Sequence, residues 1–207
     1  KGIFNMKRII KICGLTRPED VKTAIAAGAT HIGFILVPYT KRHISMDQLE
    51  ELSALADGSS VRKVGIYRNA TREFILNHQK AGALDIIQLH GTEPPEFAQQ
   101  FEGTELWKAF HLQTKEDIEA AAQYPADYIL ADGERAGSGE LCNWDRVAEL
   151  ATRRPVILAG GITPDNAVEA LRKTGACGLD LSTGVEESPG IKSKEKLKQL
   201  FQQLKTL

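Results

Sequence analysis

The chain has 207 residues, of which 42% are hydrophobic and 26% are charged, and its formal net charge at pH 7 is −1. A chain of this length is expected to form one domain around a single hydrophobic core, here spanning residues 1–207. The near-neutral charge gives no indication of nucleic-acid or anionic-membrane binding, and no apolar stretch reaches the roughly 18 residues of a membrane-spanning helix.

The predicted elements alternate along the whole chain, each short β-rich run being followed by a longer helix-like run. In chain order they are strand 8–13, helix 18–27, strand 31–37, helix 45–56, strand 61–67, helix 71–81, strand 84–89, helix 94–101, strand 106–110, helix 114–122, strand 127–131, helix 144–151, strand 155–159, helix 164–173, strand 177–181 and helix 193–204. Thr16 is the expected N-cap of the first helix, with Pro18 in its first turn and Gly28 at its end. Ser45 and Gln48 predict a capping box at the second helix.

This alternation predicts a parallel sheet, because each crossover helix must return the chain to the same edge. Eight strand–helix units favour closure into a single-domain α/β fold, the (β/α)8 TIM barrel, whose length range begins near ~200 residues. The alternative is an open doubly wound sheet. Such sheets usually have about five or six strands, and no Gly-x-Gly-x-x-Gly motif follows the first strand here.

The N-terminus and the cysteines bear on where the protein works. Residues 1–5 lack the apolar segment of a signal peptide, and Met6 followed by two basic residues is typical of a natural start, so residues 1–5 are expected to be an extension or an expression remnant. The three cysteines, Cys13, Cys142 and Cys177, form no CxxC motif and have no histidine at metal-ligand spacing. We therefore expect reduced thiols in a cytoplasmic protein.

Cys13 ends the first predicted strand, where a TIM barrel places its active site. Side chains alternate along a strand, so Ile10 and Ile12 are expected to face the helices, and Lys11 and Cys13 the barrel interior. A free thiol has a pKa near ~8.5, and a nearby ammonium lowers it. Cys13 is therefore a candidate base or nucleophile. The alternative is a buried cysteine that only fills space.

Two further strand ends carry groups suited to acid–base chemistry. Asp132 follows the sixth strand, where it would serve as an acid across the barrel mouth from Cys13, or only form a turn before Gly133. Gln88 and His90 share a face at the end of the fourth strand. His90 would then be a proton donor or a substrate contact, although a structural histidine is the more common case.

Three further strand ends, those of the second, seventh and eighth strands, are typical of anion binding. After the second strand, Arg42 lies in a basic loop that is either solvated or binds a carboxylate, whose geometry the guanidinium matches. The loops after the seventh and eighth strands are the usual phosphate site of this fold, because their glycines let backbone amides approach an anion. Their candidate residues are Gly160, Gly161, Asp180, Ser182, Thr183 and Gly184. Two tight turns are the alternative. Residues 136–139, after the sixth strand, predict a lid or a long turn.

Asp180 has a further expected partner inside the barrel. It shares a face with Ser182, and the eighth strand of a closed barrel lies against the first. We hypothesise that Asp180 pairs with Lys11 and orients the barrel floor under Cys13.

Taken together, these strand ends resemble the phosphoribosylanthranilate isomerase family. The matching segments are 11–16 (KICGLT), 33–34 (GF) with 41–45 (KRHIS), 88–91 (QLHG), 137–139 (GSG), 159–162 (AGGI) with 164–166 (PDN), and 180–186 (DLSTGVE). They run through nearly the whole chain in family order. The sequence departs from the family at Cys142-Asn143-Trp144, where Phe-Asp-Trp is common, and at Tyr67-Arg68-Asn69, where Phe-Val-Asn is common.

The resemblance implies a barrel enzyme of tryptophan biosynthesis that uses neither a cofactor nor a metal and binds a small phosphoribosyl substrate. Its reaction is an Amadori rearrangement, in which Asp132 is the general acid at the ribose ring oxygen and Cys13 the general base at C2′. Arg42 would hold the anthranilate carboxylate. The phosphate would be held by Gly161, Ser182, Thr183 and Gly184.

Two other functions remain open from the sequence. One is another phosphosugar barrel enzyme, an epimerase or a synthase. The other is a non-catalytic module that binds a phosphate ligand. The pair of Cys13 and Asp132 discriminates between an isomerase and a binding module, because a binding module does not need it. Both a monomer and a homodimer are compatible with the sequence.

Overall fold

A computed structural model describes residues 8–133 and 142–207 of the chain. The strands are β1 (Ile9–Cys13), β2 (His31–Ile35), β3 (Arg62–Tyr67), β4 (Ile86–Leu89), β5 (Glu105–His111), β6 (Tyr128–Asp132), β7 (Val156–Leu158), β8 (Gly178–Leu181), β9 (Glu186–Ser188) and β10 (Ile191–Lys192). The helices are α1 (Pro18–Ala27), α2 (Met46–Ala54), α3 (Arg72–Ala81), α4 (Pro95–Ala98), α5 (Lys115–Gln123), α6 (Trp144–Ala151), α7 (Ala167–Thr174) and α8 (Lys194–Leu204), with 3₁₀ helices at Gln99–Phe101 and Thr183–Val185. None of the helices in these two ranges has both the length and the apolar character to cross a membrane. The expectations for residues 1–5 and 136–139 fall outside the described residues.

The strands β1 to β8 form one closed parallel barrel in chain order. Closure is made by β8, whose Gly178 and Asp180 lie in register with Ile9 and Lys11 of β1. The (β/α)8 barrel predicted from the alternation is therefore confirmed, and the open doubly wound sheet is excluded.

The strand side chains divide into two apolar layers, as a period of two requires. Ile10 and Ile12 belong to the outer layer, which packs against the helices. Cys13 belongs to the inner layer, which fills the barrel together with Val64, Ile66, Ile86, Trp107, Ala109, Leu130 and Ile157. The predicted orientation of the first strand is confirmed, and it places Cys13 inside the barrel.

The helix ends follow their sequence signals with one exception. The capping box at Ser45 is present, and Gly28 ends α1 in the left-handed conformation with φ of 115°. The expectation that Thr16 caps α1 is wrong, because Arg17 occupies the N-cap position without a side-chain hydrogen bond to the helix. The Thr16 hydroxyl donates instead to the carbonyl oxygen of Gly190, at 2.7 Å. A distant loop thus takes the group that would otherwise cap the helix.

The sequence pattern did not predict the antiparallel hairpin of β9 and β10. It follows the 3₁₀ helix after β8, and its strands of three and two residues are too short to show a periodicity. The hairpin carries Glu186 and Lys192, both buried. It therefore adds two charged groups to the region beyond the ends of β1 and β8.

An aromatic layer closes the N-terminal end of the barrel. His31 lies against Trp107 with ring centroids 5.3 Å apart, and Trp107 lies against Tyr128 at 5.7 Å. Arg62 and Glu105 form an ion pair beside this layer. Burial, with the nearby positive charges of Arg62 and Lys11, lowers the pKa of His31 to about 4.

This buried histidine predicts a loss of stability in mild acid. An unfolded chain binds a proton at His31 below pH ~6.5, whereas the folded chain resists protonation down to about pH 4. Stability should therefore fall as the pH drops through this window, by at most roughly 3 kcal/mol from this group. Urea unfolding at a series of pH values should show a shallower decline in His31→Gln than in the wild type. An equal decline in both would contradict the assignment, and His43→Gln, at an exposed position, is the control.

Candidate active site

A cavity opens at the C-terminal ends of the barrel strands. Every site residue predicted from the sequence lines it: Cys13, Arg42, Gln88, His90, Asp132, Gly160, Gly161, Asp180, Ser182, Thr183 and Gly184. The other lining residues are largely apolar and were not predicted as site residues: Ile35, Val37, Thr40, Ile66, Arg68, Ala159 and Ile162. Within residues 8–133 and 142–207, no three His, Cys, Asp or Glu side chains group as metal ligands would.

Cys13 lies beside a buried ion pair. The Nζ of Lys11 donates to Oδ1 of Asp180 at 3.0 Å, and the Lys11 side chain is fully buried. Space for this pair comes from Gly33 of β2, where a Cβ atom would approach Cε of Lys11 to 2.8 Å and Sγ of Cys13 to 3.1 Å. The ion pair hypothesised from strand alternation and barrel closure is confirmed.

The protonation of Cys13 differs from the sequence-based expectation. Burial raises the pKa of the Cys13 thiol, and the Lys11 ammonium offsets only part of that rise, while the Asp180 carboxylate adds to it. The predicted lowering influence of Lys11 is present, but the desolvation of a buried thiolate outweighs it. Cys13 is therefore a neutral thiol at neutral pH.

Asp132 and His90, from β6 and the end of β4, meet in the same cavity. Nε2 of His90 lies 3.2 Å from Oδ2 of Asp132, and Nδ1 of His90 lies 3.0 Å from Nε2 of Gln88. Because the Gln88 amide donates to Nδ1, the proton of a neutral His90 ring is on Nε2 and points at Asp132. The backbone N–H of Gly133 donates to the other Asp132 oxygen at 2.8 Å. His90, for which a structural role was the more common expectation, thus orients a candidate acid.

These donors determine the charge of Asp132. Burial by itself would raise the pKa of Asp132, but the hydrogen bond and charge of His90 and the Gly133 N–H lower it below its ordinary value. The hydrogen bonds and the charge of His90 thus outweigh the desolvation that by itself would favour the protonated acid. At neutral pH, Asp132 is therefore a carboxylate.

A second buried pair holds the loops after β3 and β4 in place. Glu93 accepts hydrogen bonds from the backbone N–H groups of Asn69 and Gly91, at 2.7 and 2.9 Å. Lys108 lies 3.4 Å from the same carboxylate and donates to the Gly91 carbonyl oxygen at 2.7 Å. Both loops are thereby tied together next to His90. Sequence analysis missed this pair because nothing in the local pattern indicates that either side chain is buried.

The loops after β7 and β8 have the backbone that a phosphate site needs. Gly160 and Gly161 adopt φ of 73° and 66°, which side chains other than glycine rarely tolerate. A Cβ atom on Gly184 would collide with the carbonyl oxygen of Ile162 in the neighbouring loop. Asn166 donates to the Gly161 carbonyl oxygen at 3.0 Å and so anchors that loop. The two loops approach each other as closely as backbone permits, and their glycines leave the cavity wall open to an anion.

Arg42 enters the cavity already paired. Its Nε and Nη2 donate to the two carboxylate oxygens of Glu186, at 2.8 and 2.6 Å. Lys192 donates to the same carboxylate at 2.8 Å. Arg42 was predicted from the sequence, whereas neither Glu186 nor Lys192 was singled out, because both belong to the hairpin that the sequence pattern did not reveal.

Arg68 is the second arginine of the cavity wall. It follows β3, is exposed, and makes no hydrogen bond or ion pair with a residue in either described range. Its position is also one of the departures from the family pattern noted above. The cavity therefore holds one arginine fixed by a carboxylate and one without a protein partner among the described residues.

Comparison with known proteins gives a consistent result. A family model described as "N-(5'phosphoribosyl)anthranilate (PRA) isomerase" matches residues 10–203. The N-(5'-phosphoribosyl)anthranilate isomerase of Rippkaea orientalis is 39% identical over 208 residues, which cover 94% of this chain and 95% of that protein. The crystal structure of phosphoribosyl anthranilate isomerase from Thermus thermophilus has a TM-score of 0.89 and 43% identity, covering 95% of this chain and 98% of that chain. A phosphoribosyl anthranilate isomerase in complex with reduced 1-(o-carboxyphenylamino)-1-deoxyribulose 5-phosphate has a TM-score of 0.88 and 30% identity, covering 97% and 100%.

Proposed function

The chain belongs to the N-(5'-phosphoribosyl)anthranilate isomerase family, and we propose that Cys13 and Asp132 are the general base and the general acid of its reaction. This reaction of tryptophan biosynthesis converts the phosphoribosyl aminoaldose into 1-(o-carboxyphenylamino)-1-deoxyribulose 5-phosphate. It needs one proton delivered to the ribose ring oxygen and one removed from C2′. The observation that carries the proposal is that a thiol and a carboxylate line one cavity whose wall also contains the glycine-rich loops after β7 and β8.

The acid step opens the ribose ring. Asp132 protonates the ring oxygen, the bond from that oxygen to C1′ breaks, and a Schiff base forms between C1′ and the anthranilate nitrogen. Asp132 must first take up a proton, which a bound substrate favours because its phosphate and carboxylate bring negative charge into the cavity and displace water. The Nε2–H of His90, 3.2 Å from Asp132, then holds the carboxyl in a fixed orientation.

The base step moves a proton away from carbon. The Schiff base withdraws electrons from C2′ and so acidifies its proton, which the Cys13 thiolate accepts to give an enolamine. The enolamine becomes the ketone when C1′ gains a proton and the C2′ hydroxyl loses one. Cys13 forms no covalent adduct in any of these reaction steps. The Lys11 ammonium opposes the rise that burial causes in the pKa of the Cys13 thiol, and so favours the thiolate that the step requires.

Substrate binding is assigned to the remaining predicted residues. We assign the phosphate to Gly160, Gly161, Ser182, Thr183 and Gly184, because the glycines of these loops leave room for an anion to approach backbone amides. Arg42 is assigned to the anthranilate carboxylate. Gln88, His90 and Asp180 complete the wall around the ribose. The three cysteines are free thiols, and a cytoplasmic location, where thiols stay reduced, is part of the proposal.

An isomerase assay tests the proposal directly. Phosphoribosylanthranilate is generated in situ and the loss of its fluorescence is followed after addition of the wild-type protein. We expect turnover without added metal or cofactor. If the protein does not turn over this substrate but still binds ribose 5-phosphate in a calorimetric titration, a phosphate-binding module is favoured instead.

A further inference from the structure

We propose that Glu186 and Lys192, from the hairpin of β9 and β10, are positioning residues of the active site. Glu186 holds the Arg42 guanidinium in the orientation that receives the aryl carboxylate of the substrate. Lys192 holds Glu186 and, through its contact with the Ser182 carbonyl oxygen, brings a further basic group to the wall of the cavity that Cys13 also lines. The inference rests on the proposed function in one respect, the assignment of the aryl carboxylate to Arg42.

The contact between Arg42 and Glu186 leaves little rotational freedom. Two guanidinium nitrogens, Nε and Nη2, bond to the two carboxylate oxygens of Glu186 at 2.8 and 2.6 Å, which is a bidentate pair. Nη2 also donates to Oγ1 of Thr183 at 3.2 Å. The third nitrogen, Nη1, makes no hydrogen bond to a residue in the described ranges. The pair therefore fixes the plane of the guanidinium and leaves one nitrogen for a ligand.

Burial makes this orientation costly to lose. The Glu186 side chain is 3% exposed and that of Lys192 is fully buried, whereas Arg42, at 12%, reaches the cavity. Glu186 lies between two basic side chains, Arg42 and Lys192. Burial lowers the pKa of the Lys192 ammonium, and the charge and hydrogen bond of Glu186 oppose that fall. Removing the carboxylate would leave two cations close together in a poorly solvated place.

The hairpin is anchored from several sides, so its charges have fixed positions. The backbone N–H of Lys192 donates to Asp20 of α1 at 3.1 Å. Its ammonium group lies 3.3 Å from the carbonyl oxygen of Ser182, next to β8. Lys196 of α8 donates to the backbone carbonyl oxygen of Glu186 at 2.7 Å. Supports of this kind hold a site to the accuracy that binding requires.

Lys192 is also one of the charged groups that act on Cys13. The other charged groups are Lys11, which lies on β1 with Cys13, Asp180 on β8, and Arg42 in the loop after β2. Burial raises the pKa of the Cys13 thiol, while the positive charges of Lys11 and Lys192 oppose that rise. Loss of the Lys192 charge should therefore make the thiolate harder to form, whatever happens to substrate binding.

The first experiment compares two ligands in Glu186→Gln. The reduced product analogue 1-(o-carboxyphenylamino)-1-deoxyribulose 5-phosphate carries both anionic groups, whereas ribose 5-phosphate lacks the aryl carboxylate. By calorimetry, the variant should bind the first ligand at least about tenfold more weakly and the second within about twofold of the wild type. An equal loss for both ligands would indicate a general structural role and overturn the inference. If this variant does not fold, Glu186→Asp replaces it, and unchanged binding of the analogue there overturns the inference as well.

The second experiment measures the Cys13 thiol. The pH dependence of its alkylation by iodoacetamide is followed in Lys192→Met, with Cys13→Ser as the blank. We expect the midpoint to move to higher pH than in the wild type. The control is Lys194→Met, which removes an exposed lysine at the start of α8 and should leave the midpoint unchanged. An unchanged midpoint in Lys192→Met would overturn the part of the inference that concerns Lys192.

A third variant separates this inference from the proposed function. If Arg42→Met binds the product analogue as tightly as the wild type, the assignment of Arg42 to the carboxylate fails. If Arg42→Met weakens binding and Glu186→Gln does not, only the positioning inference fails. When both variants weaken binding and the double variant is no worse than Arg42→Met alone, the two residues act as one unit, which is the expected result.

Discussion

Replacing Cys13 by serine is expected to lower kcat by about 10³-fold, because a serine hydroxyl is far less acidic than a thiol and therefore supplies almost no anionic base at neutral pH. KM should stay within about threefold of the wild type, since the proposed contacts to the phosphate and the carboxylate are unchanged. The measurement is steady-state kinetics in the fluorescence assay. Cys177→Ser is the control, because Cys177 precedes β8 at the other end of the barrel, where its Sγ donates to the Val156 carbonyl oxygen at 3.2 Å.

The residual activity of Cys13→Ser should also have a diagnostic pH dependence. With the base removed, kcat/KM, which reports the free enzyme, depends on the fraction of Asp132 that is protonated. The donors around Asp132 hold its pKa below the ordinary value, so this fraction falls about tenfold per pH unit across the neutral range. Residual activity that increases with pH, or a kcat close to that of the wild type, would contradict the assignment of Cys13 as the base.

Replacing Asp132 by asparagine is expected to lower kcat by a similar factor, about 10³-fold. The amide keeps the size of the side chain and can still accept a hydrogen bond from His90, but it cannot deliver a proton to the ring oxygen. The expected pH dependence is opposite to that of Cys13→Ser. The residual kcat/KM now follows the fraction of Cys13 that is ionised. Burial raises the pKa of the thiol, and below that pKa the ionised fraction increases about tenfold per pH unit.

The wild type should then show almost no pH dependence of kcat/KM in the neutral range. The active form needs protonated Asp132 and ionised Cys13, although the pKa of the first is lowered and that of the second is raised. As the pH rises between the two pKa values, the fraction of protonated Asp132 falls about tenfold per unit while the fraction of ionised Cys13 grows about tenfold. The fraction of protein with both groups in the active form is therefore constant in this range. Opposite slopes in the two variants around a flat wild-type profile would support both roles. Parallel slopes in the variants would contradict them.

Much of the fold and of the candidate site follows from the sequence for local reasons. Strand–helix alternation is visible in the chain, and it requires parallel strands whose C-terminal ends meet at one edge. Cys13, Gln88 and Asp132 could therefore be placed in one cavity before any coordinates, and all three line it. Alternation along β1 and closure against β8 were also sufficient to pair Lys11 with Asp180, which lie 3.0 Å apart.

What the sequence missed depends on contacts between distant segments. Threonine is a residue type that often caps helices, but the Thr16 hydroxyl donates its hydrogen bond to the carbonyl oxygen of Gly190 instead. Glu186 and Lys192 stand in strands too short for a periodic pattern, and only the folded hairpin brings them to Arg42. Local sequence patterns cannot predict these contacts, because the partner residues are far apart along the chain.

The sequence by itself determined the barrel, the strand ends that form the cavity and the chemical types that line it, since these depend on local periodicity and chain order. Only the tertiary structure decided the protonation of the acid–base pair. A pKa reflects the balance between desolvation and nearby charges. That balance makes Cys13 a thiol under burial that Lys11 only partly offsets, and Asp132 a carboxylate held by His90. Desolvation depends on burial, and the effect of nearby charges depends on distances, and neither exists until the barrel has closed.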